Sequence, residues 1–323
     1  MRRPGVTPFL VALAPASLLF ALSTGSVHVG WIGLWHALSS KTPPLDATIV
    51  WKLRLPRAAA AFAVGALLSL SGALLQVLLR NPLADPYVLG ISGGAAVAAL
   101  GSMLLGLGSA WLGLNAFIGS LVSMAIVFGL SHMRGPWTQT RLLLTGVVVA
   151  AGWGAALTFL LAISPGSDVQ GMLFWLIGDL SYASHTGWAY AALFTGLLLS
   201  LPLARDLNLY TRGELVATAL GARVGLIRTA VYVLASLMTA SAVMEAGAVG
   251  FVGLIIPHLL RLLGDSDYRR LIPDSALLGG SFLVICDTLA RSVMAPLQLP
   301  VGVITALLGV PVFLVLLARA RFP

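Results

Sequence analysis

The chain contains long stretches without a charged residue, and the one between Asp85 and Arg134 could not cover a water-exposed surface. Only 9% of all residues are charged, against about a quarter in soluble domains. A helix needs about 20 apolar residues to cross a bilayer, so this stretch is long enough for more than one crossing. The sequence therefore predicts an all-α, polytopic membrane protein.

Glycine, proline and charged residues divide the chain into apolar segments. The first could be a cleaved signal peptide, but the many segments that follow favour a retained span. Val169–Leu180 is predicted as a shorter partial helix, and the ranges Arg57–Ile163 and Arg228–Leu317 suggest two four-span halves. The ten predicted spans are Val6–Leu22, Ala58–Leu79, Pro86–Leu105, Trp111–Met133, Leu142–Ile163, His185–Leu203, Thr229–Met244, Val249–Leu263, Leu277–Val293 and Val301–Leu317.

Cations predict the orientation of these spans, because cytoplasmic loops of membrane proteins carry an excess of Arg and Lys. With ten crossings and both termini in the cytoplasm, five of the 19 cations fall outside, namely Lys41, Lys52, Arg54, Arg57 and Arg291. The first four directly precede the second span. They either anchor that span by snorkelling or dock an acidic external protein. The cytoplasmic cations are Arg2, Arg3, Arg80, Arg134, Arg141, Arg205, Arg212, Arg223, Arg228, Arg261, Arg269, Arg270, Arg319 and Arg321.

The net charge of +8 follows from the same excess and does not indicate nucleic-acid binding. Cys286 is the only cysteine, so neither an internal disulfide nor a cysteine-based metal site can form. The histidines form no H-E-x-x-H pair, and neither lysine lies in a G-x-x-x-x-G-K-[ST] motif. The sequence predicts no metal, no cofactor and no ATPase chemistry within this chain.

The sharpest local feature is the group of helix breakers in Asn81–Gly94. Asp85 precedes a proline, a pattern typical of a helix N-cap. The pair Gly93-Gly94 would let a second helix approach closely. A second break lies at Gly247–Gly253, and breaks at matching places in two halves are typical of transporters.

Two other functions fit parts of the sequence. Gly90–Gly93 matches the G-x-S-G pattern of rhomboid-like intramembrane serine proteases, with Ser92 as nucleophile, although a four-residue match is weak in a Gly-rich chain. An ion-coupled secondary transporter would be expected to bury acids in mid-span. Asp179 and Asp287 instead lie close to predicted span ends, which disfavours that alternative.

Several motifs run in order from about residue 50 to the C-terminus. They are Arg54–Arg57, Asn81–Pro86 with Leu89-Gly90, Asp206–Leu209 with Gly213-Glu214 and Leu220-Gly221, Gly250–His258, and Leu299–Gly302 with Gly309–Pro311. Together they resemble the permease family of type II ABC importers, whose members move ferric siderophores, haem or cobalamin.

The resemblance implies that residues 1–323 form a single transmembrane permease domain. It implies a ten-span subunit in the bacterial inner membrane that forms a homodimer among the membrane lipids, with the substrate path along the dimer axis. It also implies two kinds of partner. Two cytoplasmic ATP-binding subunits would drive transport, and a periplasmic substrate-binding protein would deliver the substrate.

The resemblance further implies roles for individual residues. Docking of the binding protein is implied for Arg54, Arg57 and Arg291. A cytoplasmic gate is implied for Asn81, Leu83, Gln139 and Thr140. Docking of the ATPase by a coupling segment at about 205–228 is implied for Gly213, Glu214, Leu220 and Gly221. The spacing of Leu215, Ala219 and Leu220 predicts a short amphipathic helix with one buried face in this segment.

Three residues depart from what the family or the membrane would favour. Gln298 stands where the family commonly has Glu, and Tyr268 where it often has His. Glu245 is an acid near a span end, and we expect it to be hydrated at the outer surface. These departures leave the substrate open among a ferric siderophore, which has the broadest prior, cobalamin and haem.

Overall fold

The computed structural model describes residues 6–25, 29, 35, 45–133, 138–183 and 186–319. Every regular element in these ranges is helical. The α-helices are α1 (Thr7–Ser23), α2 (Leu45–Thr48), α3 (Leu55–Leu78), α4 (Ile91–Leu104), α5 (Ser109–His132), α6 (Gln139–Ile163), α7 (Gly166–Ile177), α8 (Thr186–Tyr210), α9 (Glu214–Ala219), α10 (Val224–Ala246), α11 (Val252–Leu262), α12 (Tyr268–Ser292) and α13 (Val301–Arg319). A π-helical segment, Ile49–Arg54, joins α2 to α3, and 3-10 turns lie at Pro86–Leu89 and Leu180–Tyr182.

Within the described residues, six helices are long and apolar enough to cross a membrane. They are α3 with its preceding π-helical segment, α5, α6, α8, α10 and α12. Shorter apolar helices occur in α1, α4, α11 and α13. The all-helical membrane fold is therefore confirmed, while the count of ten spans stays a prediction. Arg2, Arg3, Lys41, Arg134 and Arg321, which enter the predicted orientation, lie outside the described residues.

Helix α3 forms the centre of the bundle, because small residues let its neighbours approach its backbone. A Cβ atom added to Gly65 would lie 2.2 Å from the Gly279 carbonyl oxygen of α12. One added to Gly72 would lie 2.0 Å from the Gly253 carbonyl oxygen of α11. Such contacts between small residues are typical of helix packing in membranes.

The predicted helix break after α3 is present, but it is longer than expected. The Asp85 carboxylate caps the 3-10 turn Pro86–Leu89 by accepting a hydrogen bond of 2.8 Å from the Tyr87 N–H. Gly90 then adopts φ +73°, so α4 begins at Ile91 rather than at Pro86. The N-cap predicted at Asp85 is confirmed, whereas the predicted start of the span was wrong because the left-handed glycine separates the turn from the helix.

Polar residues extend α12 well before its predicted start at Leu277. The Asp267 carboxylate accepts a hydrogen bond of 3.0 Å from the Arg269 N–H and caps the helix at Tyr268. Hydropathy alone predicted a later start, because the residues before Leu277 include several polar ones. The side-chain cap stabilises a helix that begins at these polar residues.

The glycines Gly93 and Gly94 do mediate close packing, as predicted. A Cβ atom on Gly94 would lie 2.4 Å from the Gly119 carbonyl oxygen of α5. A Cβ atom on Gly93 would lie 2.7 Å from Cβ of Trp153 in α6. Ser92 lies beside this packed pair in α4 and is partly buried.

Candidate functional site

Two groups of predicted site residues lie at opposite ends of α3. Arg57 is in its first turn, and Asn81 follows its last. A helix of this length, 24 residues, spans about 36 Å. The two groups are therefore separate sites joined by the most buried helix of the bundle.

Arg57 and Arg291 share one carboxylate at the first end. The Nη2 atom of Arg57 lies 2.9 Å from Oδ1 of Asp287, and Nε of Arg291 lies 3.0 Å from Oδ2 of the same residue. Asp287 is only 1% exposed. We call these three residues the arginine cluster. A buried carboxylate between two guanidinium groups holds both in place, because separating them would leave an uncompensated charge.

Further polar groups fix the orientation of Arg57. Its Nη1 atom donates to Oε1 of Gln298 over 3.1 Å and to Oγ of Ser181 over 3.2 Å. Asp179 lies 3.9 Å from Nη2. Gln298, which stands where the family commonly has Glu, therefore has a structural explanation. Asp287 already neutralises the Arg57 guanidinium, so the neutral side-chain carbonyl of Gln298 is sufficient to accept its hydrogen bond.

Arg54, the third predicted docking arginine, contacts the end of α1. Its side chain is buried, and Nη1 donates to the Leu22 carbonyl at the end of α1 over 2.7 Å. The three arginines nonetheless line one cavity of about 530 Å³, together with the exposed Lys52. The structure brings the predicted docking residues together, and their role in docking stays a prediction.

The predicted gate residues lie around the end of α3. Oδ1 of Asn81 accepts from the Leu83 N–H over 2.9 Å and shapes the loop that follows the helix. Nε2 of Gln139, in the first turn of α6, donates to the Leu78 carbonyl over 3.1 Å. Thr140 is exposed beside it. The four predicted gate residues therefore lie at the same end of α3.

The coupling segment contains the short helix α9, bounded by two glycines in the left-handed region. Gly213, with φ +116°, precedes the helix, and Gly221, with φ +84°, follows it. Glu214 forms an ion pair with Arg228 at the start of α10. The predicted short helix is present, but Leu215 is 87% exposed and Leu220 57% exposed within this chain. Their apolar face is thus open to a second molecule.

Sequence reasoning missed Tyr210, the last residue of α8. It is 1% exposed, and its hydroxyl accepts from Nε2 of Gln139 over 3.0 Å and from Nε of Arg228 over 3.2 Å. The guanidinium carbon of Arg80 lies 4.7 Å from the centroid of its ring. It also missed Asp287 as the centre of the arginine cluster. No local pattern marks these partners, because they meet only through packing.

Glu245 contradicts the expectation of hydration, since it is only 1% exposed. The end of α10 is covered by the turn after α7. Asp179 donates its backbone N–H to the Ala246 carbonyl over 2.9 Å, and a Cβ atom on Gly247 would lie 2.3 Å from the Trp175 carbonyl oxygen. Glycine permits this close cover, which excludes water from the neighbouring carboxylate.

Tyr268, the other departure, stabilises the end opposite the arginine cluster. Its backbone N–H donates to Oδ1 of Asn208 over 3.0 Å, and its hydroxyl accepts from Nη2 of Arg261 over 3.3 Å. Arg261 also binds Oε1 of Gln76, whose Nε2 donates to the Gly253 and Leu254 carbonyls. These bonds join α3, α8, α11 and α12. Tyr268 therefore has a structural role for which a neutral hydroxyl is sufficient.

Among the described residues, no group of three or more His, Cys, Asp or Glu is placed to hold a metal ion. His132 contacts the Phe128 carbonyl of its own helix through Nδ1 at 2.7 Å. His28, His36 and His185 lie outside the described residues. The remaining histidine, His258, lies in α11, whereas Ser92 belongs to α4.

Comparison with known proteins decides among the alternatives. The FecCD transport family matches residues 13–319, nearly the whole chain. The chain belongs to that family. This confirms the resemblance to the permeases of type II ABC importers and displaces the protease and the ion-coupled transporter as explanations.

Individual relatives of this family member match over most of their length. The vitamin B12 import system permease protein BtuC of Escherichia coli O9:H4 is 38% identical over 319 residues, covering 97% of this chain and 95% of the relative. An uncharacterized ABC transporter permease protein, YvrB of Bacillus subtilis, is 38% identical over 322 residues, covering 94% and 90%.

Solved structures show the same fold. A metal-chelate type ABC transporter in an inward-facing conformation matches with a TM-score of 0.84 and 28% identity, covering 97% of this chain and 98% of the other. PsaBC from Streptococcus pneumoniae, in complex with Fab, matches with a TM-score of 0.60 and 18% identity, which supports the fold alone. The family member is a multi-pass membrane protein with a known permease architecture.

Proposed function

We propose that this chain is one subunit of a homodimeric, ten-span permease that imports a ferric siderophore, cobalamin or haem across the bacterial inner membrane. The similarity to BtuC over 97% of the chain carries the proposal. The BtuC relatives are named for vitamin B12 import, so cobalamin is the first substrate to test. Energy is supplied by ATP-binding partner subunits, and a binding protein delivers the substrate.

The surface of α6 supports a dimer with a path between subunits. Only 6% of the 18-residue apolar stretch of this helix is buried within one chain. Gly152 and Gly154 are exposed, and an added Cβ atom at either position would meet nothing within 4 Å. Small residues on an uncovered span allow close approach of a second helix. A second copy of α6 would cover this face and enclose a path lined by small side chains.

The cavity beside the arginine cluster supports docking of an acidic binding protein. Four cationic side chains line it, those of Lys52, Arg54, Arg57 and Arg291. Asp287 neutralises part of this charge and keeps the guanidinium groups of the cluster in place. Clustered charge of one sign raises the rate at which an opposite charge arrives, and Lys52 is exposed to begin that encounter.

At the other end, the exposed apolar face of α9 would dock on the ATP-binding subunit. Leu215 and Leu220 are large and exposed, and Glu214, next to Leu215 in the chain, holds the segment to α10 through Arg228. ATP binding in the partner would move α9. The gate near Asn81 and Thr140 would respond, and hydrolysis would reset it.

The test is uptake into proteoliposomes that contain the chain and its ATP-binding subunit. Purified binding protein and labelled cobalamin, ferric hydroxamate or haem are added outside, with ATP inside. We expect ATP-dependent accumulation of one of the three. The matched control carries an ATP-binding subunit whose Walker lysine is replaced by alanine. Accumulation driven by a proton or sodium gradient without ATP would overturn the proposal.

A further inference from the structure

We propose that Tyr210 is a positioning residue that transmits movement of the coupling segment to the cytoplasmic gate. The inference rests on the proposed function for the meaning of those two regions. The contacts that join the coupling segment to the gate residues are seen within this chain. The Tyr210 network consists of Gln139, Tyr210, Arg228 and Glu214.

The first step of the network connects α9 to α10. The Glu214 carboxylate binds Nη2 of Arg228, and Nε of the same guanidinium donates to the Tyr210 hydroxyl over 3.2 Å. Because the guanidinium is planar and its donors are fixed relative to one another, a displacement of Glu214 reorients both bonds together. Movement of α9 therefore reaches the Tyr210 hydroxyl through one rigid group.

The second step connects Tyr210 to the gate residues. Its hydroxyl accepts from Nε2 of Gln139, and the same amide donates to the Leu78 carbonyl at the end of α3. Arg80 covers the ring and directly precedes Asn81 in the chain. Tyr210 thus contacts both parts of the gate, the start of α6 through its hydroxyl and the loop after α3 through its ring.

Burial gives these contacts their effect. Tyr210 is 1% exposed, so a hydrogen bond that its hydroxyl loses cannot readily be replaced by one to water. Arg80 has φ +46°, a backbone conformation that residues other than glycine seldom adopt. The loop after α3 therefore also depends on contacts such as that of Arg80 with the Tyr210 ring. A shift of Arg228 is therefore expected to move Gln139 and the loop together.

Tyr210→Phe tests this because it removes the hydroxyl and keeps the ring under Arg80. Tyr232→Phe is the matched control. Tyr232 is fully buried one turn after Arg228 in α10, and its hydroxyl donates to the Met124 carbonyl of α5 over 3.0 Å, a group outside the Tyr210 network. A nitroxide label is placed on Thr140→Cys, which is exposed, in a Cys286→Ala background that removes the only native cysteine.

The first readout needs no partner protein. Glu214→Gln weakens the ion pair with Arg228, and we expect it to change the spectrum of the label at residue 140. We expect the same change with Tyr232→Phe and at least a threefold smaller change with Tyr210→Phe. An equal change in both backgrounds, or no change at all, would overturn the inference.

The second readout is ATP hydrolysed per substrate imported in proteoliposomes. We expect Tyr210→Phe to raise this ratio at least threefold, while Tyr232→Phe leaves it unchanged. Equal ratios in the two variants contradict the inference. If the unmodified chain shows no ATP-driven uptake, the proposed function fails, while the label spectra still decide whether Tyr210 connects the two regions.

Discussion

Arg57 and Asp287 lie 230 residues apart in the chain and form a partly buried ion pair, with Nη2 of the arginine 2.9 Å from Oδ1 of the aspartate. Arg291, one turn after Asp287 in α12, binds the other carboxylate oxygen. The first turn of α3 is thereby joined to the end of α12. Residues that the resemblance assigns to docking also stabilise the bundle.

Replacing Asp287 by Asn is expected to destabilise the protein by about 3 kcal/mol, because two guanidinium groups lose their buried counter-charge. Thermal unfolding in detergent, followed by tryptophan fluorescence, measures the effect. Asp168→Asn is the matched control, since Asp168 is exposed in the first turn of α7. Equal stability of the two variants would show that the arginine cluster contributes little.

Lys52 allows docking to be tested without disturbing the arginine cluster. Reversing its charge, Lys52→Glu, is expected to slow association with the binding protein several-fold at low salt, and less at high salt where the charges are screened. Stopped-flow or surface-plasmon measurements on the reconstituted permease give the rate. Arg269→Glu, an exposed reversal at the other end of the bundle, is expected to leave the rate unchanged. If both reversals act alike, the effect is one of net charge.

Arg57→Glu provides the comparison with a charge inside the arginine cluster. It places a negative charge against Asp287, so we expect loss of stability together with loss of docking. A stable Arg57→Glu variant that docks normally would contradict both roles of this arginine.

Gly213 is expected to be required for coupling. Its φ of +116° is strained for any residue with a Cβ atom, so Gly213→Val should displace Glu214 from Arg228 and raise the ATP hydrolysed per substrate imported several-fold. Gly225→Ala is the control, because an added Cβ atom there meets nothing within 4 Å. Normal coupling in Gly213→Val would remove the support for this assignment.

Asp85 should make stability depend on pH. Burial raises the pKa of this carboxyl from 3.8 to about 6, although the hydrogen bond from the Tyr87 N–H acts in the opposite direction. A folded state that holds the proton more tightly than the unfolded chain is favoured at low pH. The contribution is therefore complete below about pH 4 and is lost as the pH rises through about 6.

Asp85→Asn separates this effect from capping, because asparagine is an equally good N-cap. We expect unfolding free energies of the variant and of the unmodified protein to diverge by on the order of 2 kcal/mol between pH 4 and 7, in favour of the variant at pH 7. Thermal unfolding at a series of pH values measures the divergence. A constant difference across this range would refute the raised pKa.

Several parts of this fold could be derived from the sequence alone, because their causes are local. A membrane span depends on the transfer of some 20 consecutive side chains into hydrocarbon. A cap depends on a carboxylate that accepts a hydrogen bond from an N–H two residues away. The membrane class, the break at Asp85 and the short helix after Gly213 follow from such causes. The family motifs added the assignment of roles.

Only the tertiary structure decided which polar groups meet. The pairing of Arg57 with Asp287, the placement of Tyr210 between Gln139 and Arg228, and the burial of Glu245 join residues from different helices. Hydropathy does not distinguish a helix face that meets lipid from one that meets another helix. A polar side chain near a span end can therefore bond either to water or to a residue of another helix, and the sequence does not distinguish the two. Close packing through glycines decides which of them it meets.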